Sequence, residues 1–353
     1  MAAMTAQQTG ARAGQPAAPR GYWAWRQSAA CFEEPGRGML LVRGADRVEF
    51  LQKLLTNDVA RLAEGAGCAA CLLNPKARLL APMRVYREPE QVLVELPAVR
   101  AAAIAEQLRR LVFLKKVEIE DASARWRIFG LEGPRAGAAL ARALGTQPPA
   151  LAAPLAIGPA VLGGQRVRLV RRALVGEGWR IHVEGAGAEA VAAALRAAAE
   201  AEGGETAEPA ALELVRIEVG EEAWGAELDE ETFLPETALA ARAVSHTKGC
   251  YPGQEPVARV HFKGRTHRML GAVVARDAAA ALAPGMELFL PAGGKAAGRL
   301  TSTAFSPSLG RPIALGYLRR EVAEPGTELG AGEPTGPVVE VRGLPLVGGA
   351  GGC

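Results

Sequence analysis

The densest cluster of reactive side-chain types in the chain is Lys248-Gly249-Cys250-Tyr251-Pro252-Gly253-Gln254-Glu255, where an amine, a thiol, a phenol, an amide and a carboxylate share one octapeptide. In an extended stretch side chains alternate in direction, so His246, Lys248 and Cys250 project to one face and two potential cations flank one thiol. That placement favours the thiolate, the nucleophilic and metal-binding form of cysteine. Gly253 permits a tight turn, and Pro256 suits the first turn of a helix running through Ala258 and Val260. Cys250 then sits just ahead of a helix N-terminus, whose dipole stabilises an anion, whether thiolate or ligand carboxylate. The plainer alternative is a surface loop in which Lys248 is solvated, Tyr251 packs and the glycines only turn the chain. A Cys250–His246 nucleophilic pair needs an orienting acid and an oxyanion donor, and neither is in view.

Other reactive types are scattered. Cys68 and Cys71 make a single Cys-x-x-Cys with no second pair, and on a strand they point to opposite faces, which reads as two packed cysteines. His182, His261 and His267 have no ligand spacing with other candidates, so no metal site is expected. Arg216 and Glu218 alternate with Ile217 and Val219, a pattern that suits a structural ion pair near a helix end.

The elements that must carry these residues are mixed in type. Met39 to Val42 reads as a strand, and Asp46 with Glu49 has capping-box spacing ahead of a helix with Phe50, Leu51, Leu54 and Leu55 on one face. Three apolar runs between Cys68 and Leu96, broken at Asn74-Pro75, Glu88-Pro89 and Pro97, predict antiparallel strands. Ile104, Leu108, Leu111 and Val112 restore the helical period, and Val117 to Glu120 and Trp126 to Leu131 are strand-like. Pro134 opens a helix that Gly145 closes, and further helices run from Glu189 to Ala201 and from Pro209 to Gly220. With no regular β-α-β rhythm the fold class is α+β. After His267, short β-like runs (Met269 to Ala275, Glu287 to Leu290, Gly298 to Thr303, Ile313 to Leu318, Val338 to Val341) alternate with Gly/Pro turns, the pattern of a small β-barrel, and place a boundary near Gly264.

Bulk properties exclude several classes. A chain of 353 residues with 49% apolar, 22% charged and 5% aromatic residues is expected to be globular, with two or three domains. A net charge of +3 without a basic block gives no sign of direct nucleic-acid binding. The charge-free span from Leu144 to Gln165 contains Pro148, Pro149, Pro154 and Pro159, so it is read as a surface connection and not a membrane helix. Five cysteines are too few for a disulfide scaffold and imply a reducing compartment, the cytoplasm or, in a eukaryote, the mitochondrial matrix. The first residues, rich in Pro and Gly, read as a disordered tail, and Gly348 to Cys353 as a loose one.

The octapeptide closely resembles the Lys-Gly-Cys-Tyr-x-Gly-Gln-Glu signature of the YgfZ-like folate-binding family in the glycine cleavage T-protein superfamily, a family that includes mitochondrial iron-sulfur assembly proteins. The resemblance extends to Gly44-Ala45-Asp46 with Phe50-Leu51 and Leu55-Thr56-Asn57-Asp58, and to Leu73-Asn74-Pro75-Lys76. It continues in Arg216-Ile217-Glu218-Val219-Gly220, Pro235-Glu236 and the barrel segment Ile313-Ala314-Leu315-Gly316-Tyr317. What it implies is a three-domain fold: residues 31–60 with 125–205, residues 61–124 with 206–264, and a barrel over 265–345, between a tail at 1–30 and another at 346–353. It further implies tetrahydrofolate, or a one-carbon derivative, held by Asn74, Arg180, Arg216, Tyr251, Gly253, Gln254 and Glu255, with Cys250 and Lys248 as catalytic residues. Iron-sulfur enzymes or assembly proteins are the implied partners, with tRNA-modifying enzymes among the clients.

Two departures separate the branches of that superfamily. T-proteins resemble this chain around the Asn74 turn but carry paired aspartates where Ala81 and Pro82 stand, and neither residue can move a proton or stabilise a cation. T-proteins also have a pterin-binding glutamate where Gly178-Trp179-Arg180-Ile181 places Arg180. The expected function is therefore support of iron-sulfur enzyme assembly or repair. Folate-dependent aminomethyl or methyl transfer is the alternative, and a non-catalytic folate-binding scaffold is a third.

Overall fold

The computed structural model describes residues 16–291 and 294–348, and the chain forms two compact units. The larger holds residues 24–206 and 223–266; the other holds 16–23, 207–222 and 267–348 of the described chain.

Two sheets build the larger unit. Strands β1 (Ala30–Glu33), β2 (Arg37–Arg43), β3 (Gly67–Leu73), β4 (Leu79–Arg87), β5 (Gln91–Pro97), β6 (Glu118–Asp121), β7 (Trp126–Glu132), β8 (Ile157–Leu162), β9 (Gln165–Arg171), β10 (Gly178–Glu184) and β11 (Glu205–Thr206) follow one another along the chain. The five-stranded sheet has the order β3-β4-β5-β2-β6, and the six-stranded sheet β11-β1-β7-β10-β9-β8. The first sheet packs the helices Arg47–Leu54 and Ala98–Arg110 around a core containing Leu40, Leu51, Val85, Val94, Ile104 and Leu108. The second packs Ala136–Leu144 and Ala188–Ala201 around Leu131, Leu140, Leu169, Ile181, Val191 and Leu195. A shared apolar cluster that includes Met39, Leu41, Tyr86, Trp126, Ile128 and Val170 draws on both sheets.

Beside that cluster lies a buried ionic layer. Glu95 of β5 is fully buried and accepts from Arg37 Nε at 2.8 Å, from Tyr86 Oη at 2.8 Å and from Arg84. Glu132 of β7 accepts from Trp25 Nε1 at 2.9 Å and from the Leu174 amide at 2.9 Å, and lies 2.6 Å from Arg180 Nη1. Glu34 accepts from Arg180 Nε and, at 3.3 Å, from Arg172. Burial pushes the Glu34 carboxyl up, but Arg180, Arg172 and Arg84 together more than reverse this and leave it at about 2. The Glu95 carboxyl is likewise held well below the usual carboxylate range: burial opposes ionisation, and Arg84 and Arg37 outweigh it. His182 of β10, fully buried with Nε2 3.5 Å from Glu95 Oε2, is driven down to about 4 by burial, against the pull of Glu95. A buried charge costs several kcal/mol unless paired, so this layer stands only while every member keeps its partner.

The second unit contains a closed barrel of β12 (Arg268–Ala275), β13 (Glu287–Phe289), β14 (Ala296–Ser306), β15 (Arg311–Arg319), β16 (Glu328–Ala331) and β17 (Val338–Arg342), in the order β12-β15-β14-β13-β16-β17. The Pro209–Val219 helix begins with Pro at its first position and ends at left-handed Gly220. Its buried Glu218 accepts from Tyr22 Oη at 2.8 Å and from Ser306 Oγ at 2.6 Å.

The mixed α+β architecture and the small C-terminal barrel are those expected from sequence, with local corrections. Structure begins before residue 31: a helix spans Tyr22–Gln27 and buries Tyr22 and Trp25 completely, because Trp25 supplies the donor for Glu132 and Tyr22 the donor for Glu218. The capping box does not form. Asp46 accepts from the Lys116 amide at 2.7 Å instead, and Glu49 pairs with Lys53 and Lys115. The span read as a connection contains β8, an edge strand, where Pro159 is tolerated. Residues 1–15 and 349–353, which fall in the expected tails, lie outside the described residues.

The ionic layer makes the larger unit acid-sensitive. Glu34 has a folded-state value below its ordinary one, so its contribution is complete above about pH 4.5 and is lost as pH falls toward about 2. His182, also depressed, destabilises the fold as pH falls from about 6.5 toward about 4, where only the unfolded chain takes the proton. Melting temperature measured from pH 8 to pH 4 should therefore fall, and His182→Phe should flatten the upper limb, which is worth up to about 3 kcal/mol. An unchanged slope in that variant would remove His182 from the account.

Candidate functional site

The signature loop is built onto the β3–β4 hairpin of the larger unit. Asn74 organises that hairpin turn: its Oδ1 accepts from the amides of Lys76 at 2.9 Å and Arg78 at 3.0 Å, and its own amide donates to Arg78 O at 3.0 Å. Gly253 packs directly on the turn. A Cβ there would stand 2.6 Å from Asn74 O, and its φ of +80° is one that side-chain-bearing residues rarely adopt, so only glycine fits. Gly253 also caps the Gln254–Lys263 helix, with Pro256 in its first turn as expected from sequence.

Two side chains anchor the loop on either side of the thiol. Tyr251 is buried among Cys71, Leu73, Ala77, Leu79, Leu234 and Val257, and burial pushes its phenol up to about 12. Lys248 is also buried, its ammonium donating to the main-chain oxygens of Gln52 and Leu55 and, at 3.1 Å, of Asn57. Burial lowers the Lys248 amine to about 8, against the opposing pull of Asp58. Its cation is thus committed to the end of the Arg47–Leu54 helix, where the expectation had it flanking Cys250. Cys250 itself is exposed, whereas Cys31 and Cys71 are buried and Cys68 is partly so. Cys68 and Cys71 do take opposite faces of β3, one in the core with Leu72 and Val85, the other beside Tyr251.

His246 packs against other rings. Its ring stacks on His261, centroids 3.6 Å apart at 12°, with the exposed Phe262 edge-on to both. Burial, then the neighbouring His261, lowers the His246 imidazole.

The remaining expected ligand contacts are used mostly inside the protein. Arg180 is fully buried between Glu34 and Glu132, with its guanidinium 4.9 Å from the Phe32 ring. Arg216, in the barrel-containing unit, donates to Glu213 Oε2 at 2.8 Å, Ser302 Oγ at 2.8 Å and Glu221 O at 3.0 Å. Asn74 Oδ1, the Tyr251 ring and the Arg180 guanidinium are thus engaged within the protein. Gln254 and Glu255, at the start of the Gln254–Lys263 helix, keep solvent access. Ala81 is buried in the core of the five-stranded sheet, and Pro82, opposite Cys71, carries no titratable group.

Sequence reasoning missed what Leu55-Thr56-Asn57 does. Thr56 Oγ1 donates to Ala243 O at 2.6 Å and accepts from the Cys71 amide at 2.8 Å. Asn57 Nδ2 donates to Ala69 O at 2.7 Å, and the Ser245 amide donates to Thr56 O at 3.0 Å. The motif is visible in the sequence, but only the fold brings it against residues 243–248.

Residues 6–248 match the GCVT N-terminal domain and residues 267–342 the glycine cleavage T-protein C-terminal barrel domain. An aminomethyltransferase of Rubrobacter xylanophilus is 31% identical over 299 residues, covering 84% of this chain and 77% of that protein. One from Thermus thermophilus is 32% identical over 306 residues, covering 85% and 82%. The crystal structure of the glycine cleavage aminomethyltransferase T of Bartonella henselae superposes with a TM-score of 0.80 at 24% identity, covering 92% of this chain and 88% of that one, and so shares the fold. The chain belongs to the glycine cleavage T-protein family.

The cysteine environments predict a simple order of reactivity. Burial raises the Cys31 thiol and pushes Cys68 up to about 12, whereas Cys250 lies open. Iodoacetamide at neutral pH, read site by site by mass spectrometry, should label Cys250 at least about tenfold faster than Cys31, Cys68 or Cys71. Equal rates at Cys250 and Cys68 would show the loop to be closed in solution.

Proposed function

We propose that this chain is a tetrahydrofolate-binding member of its family in which Cys250 is the working group, on the YgfZ-like branch that supports assembly or repair of iron-sulfur enzymes, tRNA-modifying ones included. The observation that carries the reading is chemical. The exposed thiol sits in the signature loop, while the positions at which T-proteins resemble this chain but carry paired aspartates hold Ala81 and Pro82. Without a carboxylate there, aminomethyl transfer lacks the group that would move its proton or steady its cation. The folate is inferred from family membership. Gln254 and Glu255 at the start of the Gln254–Lys263 helix, and Asn74 in the β3–β4 turn, are expected contacts that keep solvent access.

A second reading, folate-dependent aminomethyl transfer, has its own support: the relatives at 31% and 32% identity are named aminomethyltransferases. The comparisons favour it over iron-sulfur repair. The local chemistry at Ala81 and Pro82 speaks against it.

One pair of measurements separates them. Transfer from an aminomethyl-lipoyl carrier protein to tetrahydrofolate should stay at background, and calorimetry should register binding of tetrahydrofolate. Turnover above background promotes the second reading. No heat and no thermal shift with any folate rejects the ligand. In a deletion strain, iron-sulfur enzyme activities should fall and be restored by the wild-type chain but not by Cys250→Ala; full restoration by that variant would reduce the protein to a scaffold.

A further inference from the structure

We infer that Lys248 is a positioning residue, not an acid, base or charge partner of Cys250: its ammonium fastens the Cys250 loop to the C-terminal end of the Arg47–Leu54 helix and so fixes where the thiol is presented. An ammonium has three N–H donors, and each has an acceptor here, the oxygens of Gln52, Leu55 and Asn57. The first lies in the last turn of the helix and the others just beyond it, where main-chain oxygens lack intrahelical partners and carry the negative end of the dipole. The Tyr251 ring centroid lies 5.3 Å from the same nitrogen, a cation–π contact that ties the two anchors together. With its donors used and its side chain buried, Lys248 has nothing left to offer a substrate.

The neighbouring bonds act in the same direction. Thr56 and Asn57 hold residues 242–245 through Ala243 O, the Ser245 amide and Arg242 O, so the chain reaches Lys248 already laid along the 52–57 segment. Two residues later Cys250 emerges, and Tyr251 at once returns the chain to the core. Cys250 is thus exposed yet held between adjacent anchors, the arrangement a working thiol needs if it is to be both reachable and fixed. This role rests on the reading of Cys250 as the working group.

The test uses the full chain with Lys248→Met, which removes every donor, and Lys248→Arg, which keeps the charge and the donors. Hydrogen exchange across residues 243–253 should rise at least tenfold in Lys248→Met, stay near wild type in Lys248→Arg, and leave β12–β17 unchanged in both. Restoration of iron-sulfur enzyme activity in the deletion strain should drop about tenfold with Lys248→Met and return with Lys248→Arg. Unchanged exchange in Lys248→Met, or Lys248→Arg behaving like it, overturns the inference. If Lys248→Met does not fold, nitrogen-15 NMR of the wild-type lysine side chains decides. A slowly exchanging Lys248 ammonium supports the clamp, and one exchanging as fast as surface lysines rejects it. Should Cys250→Ala prove fully active, the functional reading falls while the exchange result still stands or fails on its own.

Discussion

The larger unit depends on pairing three buried carboxylates with guanidinium groups between two sheets. Glu34, Glu95 and Glu132 are withdrawn from water almost completely, and the guanidinium groups of Arg37, Arg84, Arg172 and Arg180 are arranged so that none of the three acids is left uncompensated. Such a layer adds little net stability over an apolar one of the same shape, yet losing any single partner is expensive because a charge is then stranded. It also has strict geometry. Arg180 stands between Glu34 and Glu132 on the six-stranded side, and Glu95 meets Arg37, Arg84 and Tyr86 on the five-stranded side, while Arg84 with Glu34 at 4.0 Å and His182 with Glu95 at 3.5 Å cross from one sheet to the other. An apolar interface alone tolerates sliding more readily than one built from directional bonds.

The signature loop uses a buried cation differently. Lys248 has no carboxylate within bonding distance among the described contacts and is satisfied by main-chain oxygens at a helix end. Where the ionic layer joins sheet to sheet, the lysine joins a loop to a helix, and the glycine at 253 joins that same loop to the Asn74 turn. Three separate stretches, residues 52–58, 74–78 and 243–254, therefore form one local structure around an exposed thiol. The motifs at 55–58, 74 and 248–255 look independent in sequence because their bonds run across as many as 196 residues.

Legibility followed range. Strands β2 to β5, the Ala136–Leu144 helix closed by Gly145 and most of the barrel could be read because alternation, helical period and Gly/Pro punctuation are local signals. The strands β8, β9 and β10 were not read. Four prolines ahead of Gln165 mimic a loop, and Arg166, Arg168 and Arg180 interrupt runs that would otherwise look apolar. The arginines had a reason to be there, since Arg168 pairs with Glu88 and lies over Trp126 while Arg180 serves the ionic layer, but the partners are distant in sequence. At the candidate site the residue types were legible and the directions of the side chains were not. Alternation alone put His246, Lys248 and Cys250 on one face, whereas the loop is not extended and sends the histidine to His261, the lysine inward and the cysteine out.

That divergence bears on how the family's chemistry can be carried by this chain. Arg180, placed where a pterin-binding carboxylate is expected from the resemblance, cannot be released toward a ligand without taking the guanidinium away from buried Glu132 and one of several from Glu34, so the position serves the scaffold. Ala81 has likewise joined the apolar core. Two positions at which the resemblance would place a proton-handling or ligand-binding acid thus contribute packing or structural charge, while the signature loop remains elaborately held and its thiol remains open. Holding an exposed cysteine with a buried lysine, a buried tyrosine and a glycine that no other residue could replace is costly in conformational freedom. A loop with no task beyond connection would not need three such restraints within six residues, and this is the physical reason to look for the activity at Cys250.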